Sequence, residues 1–382
     1  MDCRIEKQIK FPRAGRSGVE PPHSKSRRRW TFQAGDKITA EPLVHGDRVY
    51  VGSWDERMYA LDVATGERIW EFRTGNAVVA GAVVTGEKLV FGSHDGNVYA
   101  LDLGSGKELW RRPMGSSEDV LLTPNGPWVE CSPVAGEYKP GFPERLFVGS
   151  HHRRLAALNP ETGVVCWEFP TFNWILGRPV VADYTVYFGC IDGWLYAVDA
   201  MCGALRWRYR VGEKLRYAPT VIPGSVRTKA ITAGPLIHEG VIYIGAHDGF
   251  MHAVDRATGR AIWTREVGRV LPSKAVLRGN RLVAVTNDGL IVALEARSGR
   301  LDWRRDLRVT VHADLVPHDA DSFWIAPVEG WMLRIGAAGG LVDNALAGGP
   351  VRATPCVTRE GDLVVATCRG EIARIPTKGG GR

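Results

Sequence analysis

Three histidines share one place in a recurring pattern. His94 follows Gly92-Ser93, His151 follows Gly149-Ser150 and His247 follows Gly245-Ala246. Imidazoles converging from three segments would make a metal site. The spacing argues otherwise, because each His belongs to a separate repeat and repeats spread a shared position around a ring. The same position holds Trp54-Asp55, Ile191-Asp192 and Asn287-Asp288, and several pairs continue into Asp-Gly, as at Asp95-Gly96 and Asp248-Gly249. Asp-Gly between apolar runs is hairpin-turn chemistry. The seven cysteines are scattered and include no C-x-x-C, which suits reduced thiols better than a disulfide framework or a metal site. No cofactor and no metal is expected.

Charge and aromatic groups concentrate instead in the loops that lead into the inner strand of each repeat. Their basic residues are Lys37, Arg178, Lys214, Arg216, Arg269, Lys274 and Arg352, against Glu41, Glu130, Glu213 and Asp314. Trp174 and Tyr217 accompany them, and Trp128 and Tyr138 stand in a long Pro-rich insertion at 113–145. A second insertion spans 212–235. Long loops in compact domains tend to carry function. The expected binding face is therefore Trp128, Tyr138, Trp174, Arg178, Lys214, Arg216, Tyr217, Arg269, Lys274 and Arg352. Its chemistry suits an acidic peptide or an anionic ligand.

The elements that must position these residues are read from a period. Segments beginning at Val49, Leu89, Leu146, Val186, Ile242, Leu282, Phe323 and Leu363 are separated by 40, 57, 40, 56, 40, 41 and 40 residues. Each of the first six carries two short β-type runs, a turn, and a third run ending on Trp. The seventh reaches Asp343-Asn344 where the Trp should be, and the eighth stops near Pro376 without a closing run. Trp30 lies in a lone strand-like stretch that supplies what the eighth lacks. About forty residues and four strands per repeat are propeller values. The expectation is an all-β, eight-bladed β-propeller of four-stranded antiparallel blades over 29–377, closed by the N-terminal strand pairing with the last blade. Residues 1–28 read as a disordered basic tail and 378–382 as a flexible end.

The repeat Ala60-Leu61-Asp62 through Thr65-Gly66 to Trp70 recurs at Ala100, Ala157, Ala197, Ala253 and Ala293. It resembles the pyrroloquinoline-quinone-type (PQQ-like) repeat. The Asp can accept hydrogen bonds from turn amides, the Gly takes the positive φ, and the Trp is large enough to join neighbouring blades. Trp30, Trp70, Trp110, Trp167, Trp207, Trp263 and Trp303 are accordingly read as blade-docking residues, not ligand contacts. The resemblance implies two kinds of relative. Quinoprotein dehydrogenases hold PQQ and calcium in such a propeller. Others scaffold partners, among them the propeller lipoprotein of the outer-membrane β-barrel assembly machine.

The net charge of +7 is mostly local: residues 1–29 hold nine Lys/Arg and three acids, leaving 40 and 39 in the remainder. A basic groove is not indicated, and nucleic acid is an unexpected partner. No apolar run approaches a membrane span, and no export signal is legible in the first thirty residues. The resulting expectation is a monomeric, cytoplasmic, non-catalytic scaffold for a protein partner. A PQQ-dependent dehydrogenase is the alternative. A tail that touches nucleic acid or anionic membrane through Lys25-Ser26-Arg27-Arg28-Arg29 is the second.

Overall fold

The computed structural model describes residues 28–115, 126, 128–212 and 228–377. These form eight four-stranded antiparallel sheets. Strands are lettered a to d from the first to the last of each sheet. Blade one is Leu43–His45, Arg48–Gly52, Arg57–Asp62 and Arg68–Arg73. Blade eight is Cys356–Val357, Leu363–Ala366 and Glu371–Ile375, with Trp30–Gln33 as its strand d. There Trp30 pairs with Arg374 and Gln33 with Glu371, so residues 338 to 344 apart in the chain share one ladder. The count and the closure by the N-terminal strand are those read from the period.

Burial explains the sequence of each strand. Strands b and c are covered on both faces, so they are nearly continuous apolar runs such as Val49-Tyr50-Val51 and Met58-Tyr59-Ala60-Leu61. Strand d lies at the rim and alternates, as in Glu108–Pro113. Between c and d the ladder shifts register after the repeated Ala, and that Ala faces the Trp: Ala60 opposite Trp70, Ala100 opposite Trp110, Ala293 opposite Trp303. In blade seven the equivalent pair is Arg334 and Asp343.

The loops from d to a and the b–c turns share one face, called upper here. The a–b and c–d turns share the lower face. On the lower face each Trp donates its indole N–H to the c–d turn of the next blade: Trp30 to Val63 O at 2.8 Å, Trp110 to Pro160 O at 3.0 Å, Trp263 to Ala296 O at 2.9 Å and Trp303 to Ala337 O at 2.8 Å. Trp70, Trp167 and Trp207 do the same to Leu103, Ala200 and Arg256. The ring then lies flat on the turn glycine. A Cβ on Gly106 would stand 2.5 Å from the Trp70 ring, at a φ of +71°.

Blade closure has a different chemistry. Arg374 is buried, donates to Asp362 at 2.7 Å and to Val63 O at 2.9 Å, and pairs with Glu360 at 3.1 Å. Arg29 also binds Asp362, and Arg28 pairs with Glu371 at 2.6 Å. Arg28 and Arg29, the last two members of the basic run Lys25 to Arg29, are therefore part of the ring closure. The rest of that run lies outside the described residues.

Candidate functional site

Backbone hydrogen bonds stitch the upper face into a continuous circle. The second residue of each b–c turn donates its amide to the preceding d–a loop: Trp54 to Lys37 O, His94 to Ala77 O, His151 to Trp128 O and Ile191 to Trp174 O. The d–a loop in turn donates to the previous blade's b–c turn, as Val129 does to Ser93 O and Ile175 to Ser150 O. Sixteen positions alternate around the ring in this way. Seven consecutive ones are Lys37, Trp54, Ala77, His94, Trp128, His151 and Trp174. The other nine are Ile191, Ala230, His247, Val270, Asn287, Thr310, Val328, Pro350 and Cys368.

The first seven form a ladder. Lys37 Nζ lies 3.7 Å from the Trp54 ring centre. Trp54 meets His94 edge-on at 5.5 Å, His94 stacks on Trp128 at 4.4 Å, and His151 stacks on Trp174 at 4.3 Å. Trp128 and His151 join the two stacks at 5.5 Å. Between them Glu130 accepts from both imidazoles, from His94 Nε2 at 2.9 Å and His151 Nε2 at 3.0 Å. Burial pushes the Glu130 carboxyl up, but the two His hydrogen bonds outweigh it and hold it down at about 2. Both His rings are 2% exposed while Trp54, Trp128 and Trp174 are half-buried, so the indoles present the surface.

His94 and His151 thus share one carboxylate although they belong to different blades. The expectation that a shared repeat position keeps side chains apart fails for adjacent blades. It holds for His247, which bonds Thr232 Oγ1 at 2.9 Å and whose imidazole is held down by burial. Among the described residues no group of three or more His, Cys, Asp or Glu is arranged to hold a metal.

A second circle lies inside the first, at the residue two before each strand a: Glu41, Gly81, Ser132, Arg178, Gly234, Lys274, Asp314 and Thr354. Lys274 N donates to Asp314 Oδ1 at 2.6 Å and Asp314 N to Thr354 Oγ1 at 3.0 Å. Arg178 reaches from blade four to Ala82 O at 3.1 Å and to Glu41 of blade one at 3.6 Å. Burial pushes the carboxyls of Glu41 and Asp314 up, against the pull of Arg178 and Lys274. Below lies a cavity of about 480 Å³ between the inner strands of blades three and four, touched by Arg178, Lys274 and Glu137.

The residues expected at the binding face are distributed as follows. Trp128 and Trp174 are in the ladder, and Arg178 and Lys274 are in the inner circle. Arg352 is exposed in the blade-eight loop, close enough to His312 to push that imidazole's pKa down, behind the larger effect of burial. Arg269 is held by Asp288 at 3.1 Å and Asp306 at 3.4 Å. Tyr138 is misplaced by the sequence reading. The inner strand Val134–Gly136 cuts the 113–145 insertion, so Tyr138 falls in the a–b turn on the lower face, under the Arg145 guanidinium at 3.6 Å. Lys214, Arg216 and Tyr217 lie outside the described residues. Sequence reasoning missed Trp54, His94, His151 and Glu130 as a unit.

The donor set at the channel mouth does not suit a quinone held through calcium. Among the described residues the two carboxylates of the inner circle stand on blades one and seven, and each already serves a cation or an amide of that circle.

A family model described as outer membrane protein assembly factor BamB matches residues 23–121, 131–269 and 224–380. The assembly factor BamB of Shewanella oneidensis is 30% identical over 172 residues, 42% of this chain and 41% of that protein. The chain thus spans about two fifths of that curated relative's length. The dehydrogenase subunit of alcohol dehydrogenase (quinone) from Komagataeibacter europaeus is 26% identical over 149 residues, 34% of this chain and 19% of the relative. The crystal structure of BamB from Moraxella catarrhalis superposes with a TM-score of 0.75 at 17% identity, over 92% of this chain and 99% of that one. That likeness shows the fold. The expectation of a cytoplasmic protein is overturned by these matches, whose family is named for outer membrane protein assembly. The absence of a legible leader was the wrong ground for it.

Proposed function

This chain belongs to the PQQ-like repeat family of the outer membrane protein assembly factor BamB, and from that premise we propose that it is a non-catalytic scaffold that holds a partner protein during outer-membrane assembly. The upper face is the working surface. The observation that carries this reading is the ladder from Trp54 to Trp174, in which three half-buried indoles are fixed by stacking and by the Glu130 clamp. Rigid aromatic groups give contact area with little ordering cost on binding, which is how interface hot spots are built. Family membership supports the class of function, and the ladder supports its location.

The test is capture of envelope proteins by the purified chain and by the triple variant Trp54→Ala/Trp128→Ala/Trp174→Ala. A partner retained by the first and lost by the second, with both melting alike, fits the reading. Equal capture by both refutes the location. The dehydrogenase reading is addressed in parallel: incubation with PQQ and calcium should yield no cofactor absorbance and no alcohol-dependent dye reduction.

A further inference from the structure

The inner circle gives the partner a chemistry. Of its four charges, the carboxylates are committed and the cations are not equally so. Asp314 is held by the Lys274 backbone amide at 2.6 Å, and the Lys274 ammonium acts on Asp314 and Glu41 only through attraction at longer range. The described ion pairs include neither the Lys274 nor the Arg352 side chain, and the other mouth carboxylate, Glu130, is closed off by two imidazoles. Glu41 meets Arg178 at 3.6 Å, a loose contact outside hydrogen-bond distance. Both side chains of that pair keep more than a third of their surface open, 36% and 40%, so the contact faces the channel and not the core. A guanidinium prefers two parallel hydrogen bonds to one carboxylate, and here it has none. Among the described residues its one side-chain hydrogen bond goes to the Ala82 carbonyl on blade two, and Asp314 feels its charge from farther off.

We propose that the channel mouth receives the carboxylate side chains of an acidic, extended segment of the partner: Arg178 exchanges Glu41 for an incoming carboxylate and Lys274 takes a second. This rests on the scaffold reading above and names the partner chemistry at the same face. Glu41 acts as a resident stand-in. It keeps Arg178 extended across the channel and makes entry selective, because an incoming group must displace a charge. The Trp128 and Trp174 edges lie on the neighbouring positions of the outer circle, so the apolar parts of the same segment have a surface beside the charges.

The experiment uses the full chain and a fluorescein-labelled twelve-residue peptide alternating Glu and Ser, read by polarisation at low and at physiological salt. A peptide with Gln for Glu and free succinate are the controls. The acidic peptide should bind, the Gln peptide should bind at least tenfold more weakly, and added salt should weaken only the former. Arg178→Ala/Lys274→Ala should lose at least tenfold in affinity. Glu41→Gln should gain several-fold, an outcome that a merely structural Arg178–Glu41 pair does not produce. Unchanged binding in Arg178→Ala/Lys274→Ala, or weakened binding in a normally melting Glu41→Gln, overturns the proposal. Succinate competing at the same concentration as the peptide also overturns it, since the ligand is then a small dicarboxylate. If the triple Trp variant loses its protein partner while Arg178→Ala/Lys274→Ala keeps it, the exchange mechanism alone has failed and the scaffold reading stands.

Discussion

On the lower face one joint is made seven times, an indole on a glycine turn with its N–H on the turn carbonyl. On the upper face the backbone pattern also repeats, but the side chains laid over it do not. Four blades contribute rings and a clamp, and the remainder contribute small or isolated groups. The same aromatic chemistry therefore serves two ends. Where it repeats, the geometry is fixed by a local turn and the product is ring closure. Where it is confined to one arc, it breaks the ring's symmetry and gives one side of the mouth a character the other lacks.

The largest expected effect tests that division. Trp110→Ala should cost about 3–5 kcal/mol by urea unfolding, the usual range for deleting a large aromatic from a packed joint. Trp54→Ala on the upper face should cost much less stability while weakening partner capture. Similar losses from both would mean that the ladder is ordinary scaffold. A slightly smaller effect is expected at the closure. Asp362→Ala leaves the buried Arg374 guanidinium without its main partner and should cost about 3 kcal/mol. Arg29→Ala, removing a half-exposed partner of the same carboxylate, should cost well under that.

The clamp itself is a test at acid pH. Glu130 has a folded pKa held down at about 2, below its ordinary value of 4.5. Its stabilising contribution is thus fully present above pH 4.5 and is lost as pH falls through 4.5 toward 2. Glu130→Gln should cost about 1 kcal/mol at pH 7, a typical net hydrogen-bond value. The wild-type and variant melting curves should then converge on acidification. A constant difference between them from pH 7 to pH 3 would show that the clamp does not hold the carboxylate in its charged form.

How much of this was legible depended on whether a contact is set by the period. The blade count, the closure and the Trp series follow from residues forty apart in a fixed register, so they could be read directly. The Asp turns are local: Asp62 Oδ1 accepts from Ala64 and Thr65 amides at 2.9 and 2.8 Å. The ladder was hidden because Trp128 and Glu130 lie in an insertion whose register to His151 is fixed only by the fold. A usable signal existed, since His94 and His151 hold one position in adjacent repeats and adjacent blades touch. Tyr138 was misplaced because the strand that cuts its insertion is three small residues, Val134-Ala135-Gly136, with no pattern to announce it. The inner circle was counted as loop charge without its pairing, so its excess looked larger and less organised than it is.

The smallest expected effect is the sharpest for the comparison. Asp343 stands where the repeat places Trp, opposite Arg334 where the repeat places Ala, and the simplest account is decay of the seventh blade. The geometry gives another. Each Trp packs on the c–d turn of the next blade, and blade eight has no such turn, because its strand c ends at Ile375 and its strand d begins afresh at Trp30. Seven turns exist for seven Trp residues. Restoring the repeat pair with Arg334→Ala/Asp343→Trp should therefore gain no more than about 0.5 kcal/mol, because the new indole has no turn to pack on. Trp303→Asn at the adjacent joint, where the turn glycine Gly339 is present, should cost several times as much. A gain above 1 kcal/mol from Arg334→Ala/Asp343→Trp would show that the indole has found a partner at the closure. The absence of Trp there would then be sequence drift and not a consequence of where the ring is joined.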